Sequence, residues 1–114
     1  MEFVINNAMA IKGCIAAAIV DFKDDSILGF STRNPKFDPV VAAGCYTEMI
    51  KTKIAILGHL LKGSAQDEIN VLEHQYHVIR VFPQQSIMIF VALDRSAVSA
   101  QSARRSLKTF GGVV

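Results

Sequence analysis

Successive helical residues step about 100° around the axis, and on that wheel the segment 38–62 carries two apolar stripes. Ala42, Cys45, Met49, Ile56 and Leu60 form one; Ala43, Ile50, Ile54, Leu57 and Leu61 form the other. Tyr46 and Lys53 lie between them, while Thr47, Glu48, Lys51, His59 and Lys62 take the opposite side. A helix lying on a single core needs an apolar stripe only about 100° wide. The extra stripe predicts a second covering surface, and in a chain this short another copy of the chain is the economical candidate. Asp38-Pro39 opens the segment well: Asp38 can accept from an orphan amide as N-cap, and proline at the first helical position loses no needed donor. Gly63-Ser64 ends it. Gly44 and Gly58 inside it cost about 1 kcal/mol each relative to alanine, which points to close approach of another backbone.

The flanking segments change period. Residues 2–10 predict a short amphipathic helix with Phe3, Val4 and either Ala8 or Ile11 inward. Residues 13–21 are a nearly continuous apolar run of the length of a strand buried on both faces. Lys23-Asp24-Asp25-Ser26 is a turn signal, and 27–32 predicts the returning strand of a hairpin. After a loop at 33–37 and the long helix come strands at 68–75 and 76–82, with a turn near 73–76. A loop at 83–86 leads to a second two-sided apolar strand at 87–93. Ser96 predicts the N-cap of a last helix over 97–110, with Ala100, Ala103, Leu107 and Phe110 on its apolar edge. Arg104, Arg105 and Lys108 suit that helix's negative end, and Gly111-Gly112 stops it. The order is αββαβββα, an α+β chain whose short connections predict a mostly antiparallel sheet.

Composition reinforces the case for a covered surface. The 114 residues suit one domain, 1–114, and their 51% hydrophobic against 19% charged content is hard to shelter inside so small a monomer. The net charge of +2 is spread along the chain, and no basic run extends beyond Arg104-Arg105. That argues against nucleic-acid binding, which leaves a clustered basic footprint. The longest greasy run, 14–20, is far shorter than the ~20 residues of a bilayer-spanning helix, and nothing at the N-terminus reads as a signal peptide. Cys14 and Cys45 sit in apolar contexts that predict buried free thiols, in keeping with a reducing cytoplasm.

Candidate chemistry is sparse. His74 and His77 stand beside Glu73, but on a strand residues three apart point to opposite faces, so strand histidines are expected rather than a metal site. His59 reads as solvated. The cysteines lack a neighbouring base, and core packing is expected of both. Asp21, Asp24 and Asp25 crowd a turn without the spacing of a calcium loop, and no phosphate-binding glycine pattern occurs. Asp94-Arg95 reads as a solvated junction, with an exposed ion pair or part of a docking surface as the alternatives. Lys53, within the apolar arc, can snorkel to solvent or meet an acid across an interface. No catalytic residue, metal or cofactor is expected.

Several segments carry a family resemblance. The small-residue apolar run 13–21 ends in an acid before its turn. Ala42-Ala43-Gly44 is followed by Thr47-Glu48, and Gln75-Tyr76-His77-Val78-Ile79-Arg80 and Leu93-Asp94-Arg95-Ser96-Ala97 follow later. With the αββαβββα order, these resemble the Roadblock/dynein light chain family in its small bacterial-type members. The resemblance implies a five-stranded antiparallel sheet with the long helix on one face and the terminal helices on the other. It also implies a homodimer in which the long helix and the third strand meet their copies. Tyr46, Met49, Ile50, Lys53, Leu57, Val71 and Glu73 would then lie at the dimer interface; which stripe faces the partner stays open. Its implied role is a non-enzymatic homodimeric adaptor or regulator binding a small Ras-like GTPase. The alternative is a profilin-like or sensory module, which would hold a small ligand in a cavity beside the sheet with a few convergent polar groups. An enzyme would rest only on His74, His77 and the cysteines.

Overall fold

A computed structural model describes residues 1–61 and 65–110. Helix α1 (Glu2–Met9) precedes the hairpin of β1 (Cys14–Asp21) and β2 (Ser26–Thr32), and α2 (Pro39–Leu57) follows. Strands β3 (Gln66–Val71), β4 (Gln75–Phe82) and β5 (Ile87–Asp94) lead to α3 (Ala100–Ser106), and single 3-10 turns extend α2 and α3. The five strands form one antiparallel sheet in the order β2-β1-β5-β4-β3. This is the α+β architecture expected from the order of elements.

The two continuous apolar runs become β1 and β5, inner strands covered on both faces. Period-2 alternation then sorts their side chains into two cores. Ala18, Val20, Ile79, Val81, Met88, Phe90 and Ala92 face α2, where Ala43 and Ile50 meet them. Ala17, Ile19, Val78, Ile89, Val91 and Leu93 face the other layer, where Ile5 and Ala8 of α1 join Ala103, Leu107 and Phe110 of the last helical segment. Each large aliphatic side chain so buried contributes about 1.5–3 kcal/mol, so the sheet holds all three helices by its two faces.

Local chemistry fixes the joints. Asp38 accepts from the amides of Val40 at 2.9 Å and Val41 at 3.3 Å, as its N-cap position predicts. Lys51 meets Asp25 at 2.9 Å, tying α2 to the β1–β2 turn. Gly13 has φ +80°, and a Cβ there would stand 3.1 Å from Ala97 Cβ, so only glycine fits where β1 passes under the start of the α3 region.

Some expectations fail for identifiable reasons. In α1, Ala8 and Val4 pack against the core as expected, but Ile5 also turns inward, where it packs on Gly29 of β2, and Phe3 lies exposed. Thr47, expected on the polar side of α2, is buried; its hydroxyl donates to the Ala43 carbonyl at 2.7 Å, which satisfies it internally. Cys45, expected in the core, is exposed. Strand β3 ends at Val71, leaving the turn at 72–74. Helix α3 starts later than expected, with Ser99 as its cap, because Ser96 is engaged by Asp94 through both its amide and its hydroxyl. Nothing approaches within 4 Å of a Cβ placed on Gly44, so no backbone of the described chain explains that glycine. The expected stops at Gly63-Ser64 and Gly111-Gly112, the position of Lys62 and the His59 side chain lie outside the described residues.

Candidate functional site: a groove between the central helix and the sheet edge

Strand β3 is the last in the sheet, with β4 on one side and, among the described residues, no strand on the other. Helix α2 lies over the sheet so that one of its two stripes turns down and the other turns toward this edge. Ala43 and Ile50 of the second stripe are buried and Ile54 packs against them. The first stripe faces out: Met49, Ile56 and Leu60 are 54%, 65% and 62% exposed, and Cys45 is exposed with them. Apolar surface of this extent at one place marks an interaction site more often than a solvated face.

Between the exposed stripe and β3 runs an open groove of about 500 Å³. Ala42, Cys45, Tyr46 and Met49 form the helical wall, and Asn70, Val71, Leu72 and His77 form the sheet side. Val71 adds to its apolar rim at 59% exposure. Farther along, Lys53 Nζ meets Glu68 Oε2 at 3.2 Å and joins helix to edge strand. Lys53 thus finds its acid within the same chain.

The floor of the groove is polar and buried. His77 projects from β4 toward α2, where Tyr46 OH stands 2.8 Å from its Nδ1 and Gln75 Oε1 stands 2.7 Å from its Nε2. The amide oxygen of Gln75 can only accept, so Nε2 carries the proton and Nδ1 accepts from Tyr46. Phe90 and Phe37 enclose the ring, with centroids 5.1 and 5.8 Å away. Burial holds the His77 imidazole below its ordinary pKa. Tyr46 is pushed up, by burial first and then by the nearby charges of Cys45 and Glu68. Asn70, opposite His77 on the next strand, has a buried Nδ2 without a hydrogen-bond partner.

Arg95 shapes the end of the groove. Its Nη1 donates to the carbonyls of Leu72 at 2.6 Å and Glu73 at 3.2 Å, and its guanidinium lies 5.4 Å from the Tyr76 ring centre. The expected Asp94–Arg95 junction is therefore two separate devices: Asp94 holds Ser96, and Arg95 clamps the β3–β4 turn. His74 sits exposed in that turn, 3.4 Å from Glu73. Among the described residues no three His, Cys, Asp or Glu side chains gather as a metal site. Cys14 is buried, and desolvation raises its thiol to about 11, so it is protonated at neutral pH.

The residues assigned to the interface from the resemblance thus separate. Met49 and Val71 line the groove, Tyr46 forms part of its floor, and Lys53 braces it. Glu73 is exposed on the adjoining turn, and Leu57 is partly exposed near the end of α2. Ile50, at 4% exposure, packs in the core beneath α2. Cys45, Ile56 and Leu60, from the first stripe of the wheel, belong to the exposed surface, and so does Leu72. The stripe through Cys45, Ile56 and Leu60 was visible in the helical wheel, but the wheel is silent on which stripe the sheet takes.

No protein-family model matches this chain, and no curated protein matches it. Solved structures do. Myxococcus xanthus MglB superposes with a TM-score of 0.74 at 9% identity, covering 94% of this chain and 78% of that one. An MglB with a tetrameric arrangement gives 0.73 at 16% identity, covering 95% and 79%. A Roadblock/LC7 domain from Streptomyces avermitilis gives 0.64 at 9% identity, covering 97% and 94%. Coverage this complete extends the likeness beyond the sheet to the helices on both faces. The chain has the Roadblock/LC7 fold.

Proposed function

We propose that this chain is a single-domain, non-enzymatic adaptor that pairs with a second copy of itself and docks a small Ras-like GTPase. One observation carries the first half: the exposed apolar stripe of α2 adjoins the outer edge of β3. A two-fold partner laid on this surface would cover Met49, Ile56 and Leu60 and offer its own β3 to the free edge. Isologous pairing of this kind satisfies both the apolar excess and the edge backbone at once. Gly44, open to solvent on α2, leaves room for a second helix to approach closely. The seam then comprises Tyr46, Met49, Lys53, Leu57, Val71 and Glu73, joined by Cys45, Ile56, Leu60 and Leu72, with Ile50 beneath it. A relative in fold is described in a tetrameric arrangement, which is in keeping with self-association.

The GTPase half rests on the family resemblance of the sequence together with the shared fold. Two copies of α2 side by side would present a platform, and binding one nucleotide state of the GTPase better than the other would shift its population. Within this reading the chain contributes surface and no reacting group, acts in the cytoplasm, and needs no cofactor, nucleic acid or membrane insertion; no described helix is long and apolar enough to cross a bilayer.

Sedimentation equilibrium at micromolar concentration tests the pairing: a dimer is expected, and a monomer there removes the basis of the reading. Immobilised chain challenged with small GTPases loaded with GTP or GDP tests the partner. Retention that depends on the nucleotide is expected. Indifference to every GTPase of the same genome would leave only a self-associating scaffold.

A further inference from the structure

The sheet is open on its other side as well. Strand β2 forms that edge, and among the described residues no strand pairs with its outer side. Arg33 donates its amide to the Ile15 carbonyl at 2.8 Å, and the slip in register with β1 falls at Leu28, so 29–32 run regularly. In that register Gly29 and Ser31 turn their backbone groups toward β1, and Phe30 and Thr32 turn theirs outward. The strand, Ser26–Thr32, carries none of the lysines, prolines or inward charges that usually guard an edge. Phe30 stands opposite Ala18, hence on the α2 side of the sheet, and is mostly exposed. Beside it lies an open groove of about 440 Å³ whose walls include Thr32, Pro35, Phe37 and Val40.

We infer that this edge takes the β2 strand of a second copy, antiparallel about a two-fold near Ser31. The surface is self-complementary in its backbone, its side chains and its charge. The outward amides and carbonyls of Phe30 and Thr32 meet those of Thr32 and Phe30 in the other copy. Side chains directly opposite each other on antiparallel strands stand about 4.5–5.5 Å apart at Cβ. Each Phe30 therefore comes beside Thr32 of the other copy and enters the groove there. The 21–25 turn is net acidic, with Asp21, Asp24 and Asp25 against Lys23, even with Lys51 held on Asp25. The 33–38 loop is net basic, with Arg33 and Lys36 against Asp38. Antiparallel pairing sets each turn against the other copy's loop, whereas parallel pairing would set like charges together. An isologous contact satisfies all of these at once. It uses the opposite edge from β3, so it neither competes with pairing through α2 and β3 nor rests on it; where both form, dimers join through β2. Built from one short strand and one ring per copy, it is weaker than a standard interface and forms at higher concentration.

Sedimentation velocity of the full chain from micromolar to millimolar concentration tests the contact. Wild type is expected to gain a species of twice its micromolar mass. Phe30→Asp is expected to lose that species and keep the micromolar one, and Ile56→Asp, with the α2–β3 surface disabled, still to double at millimolar concentration. No growth at millimolar concentration, or growth that Phe30→Asp leaves unchanged, overturns the contact. Amide hydrogen exchange of the wild type needs no variant and separates strand pairing from adhesion of the exposed ring. The amides of Gly29 and Ser31 are expected to be slow throughout. Those of Phe30 and Thr32 are expected to exchange freely at micromolar concentration and to slow at millimolar concentration. Equal rates for Phe30 and Thr32 at both concentrations overturn the pairing even where the mass doubles. A wild type that is monomeric at micromolar concentration sinks only the α2–β3 reading, and its growth and exchange then decide the β2 contact alone.

Discussion

Lys53 of α2 and Glu68 of β3 face each other at 3.2 Å, an ion pair that bridges the long helix and the edge strand. Both are partly open to solvent, at 39% and 27%, so screening and side-chain entropy keep the pair's worth below about 1 kcal/mol. Its larger effect is on position, since it ties β3 to α2. Lys53→Glu is expected to lower the urea midpoint slightly, and Lys53→Glu with Glu68→Lys to recover most of the loss. A double variant no better than the single one would show that the pair does not couple the two elements.

Ile56 and Met49 belong to the same stripe of α2 and are mostly exposed. Ile56→Asp and Met49→Asp are therefore expected to leave the unfolding midpoint of the isolated subunit nearly unchanged. Placed against a second copy they bury an unpaired carboxylate, which is strongly unfavourable. The dissociation constant of the dimer is expected to rise by about a hundredfold or more, a penalty near 3 kcal/mol. Sedimentation and urea unfolding together separate the two effects; a large fall in subunit stability would mean that the stripe packs within the chain.

Gly13 answers a backbone demand as well as a steric one. Alanine there would carry a Cβ into the left-handed region and to 3.1 Å from Ala97 Cβ, where β1 passes the start of the last helical segment. Gly13→Ala is expected to cost about 1–3 kcal/mol, read as a fall in Tm. An unchanged Tm would require the 94–98 segment to shift aside without penalty.

The two cysteines differ in reach and in chemistry. Cys14 is buried with its thiol raised to about 11, so at pH 8 it is almost wholly protonated, and the nucleophilic thiolate grows only as pH climbs toward that value. Cys45 is exposed. In the Ile56→Asp variant, iodoacetamide at pH 8 is expected to modify Cys45 well before Cys14, with peptide mass spectrometry as the readout. In the paired wild type Cys45 is expected to react more slowly. Equal rates for Cys14 and Cys45 would contradict the burial of Cys14.

Asp38 closes two orphan amides at the start of α2. Asp38→Ala is expected to cost about 0.5–2 kcal/mol, and Asp38→Ser to cost far less, by urea unfolding at pH 7. Equal losses would assign the effect to the carboxylate charge rather than to the cap.

Much of this architecture is written in short-range signals. The unbroken apolar runs of β1 and β5 have the length of strands covered on both faces, and both are inner strands. Asp38-Pro39 is a helix start and the acid-rich cluster a turn signal, and they open α2 and close the β1–β2 hairpin. These features follow from hydrogen-bond satisfaction and side-chain period, which act within a few residues. The second apolar stripe of α2 was legible for the same reason, as surface in excess of what one sheet face can cover.

Which stripe met the sheet was settled by tertiary packing. The wheel gives Ile50 and Met49 nearly equal claims; only the shape of the face made by Val81, Met88 and Phe90 turns Ile50 down and leaves Met49 outside. The same docking buries Thr47, whose hydroxyl satisfies itself on its own helix, and exposes Cys45 one stripe away. It brings Tyr46 to His77 across thirty-one positions of sequence. Contacts of that separation depend on strand order and helix crossing, quantities that no local window of residues contains.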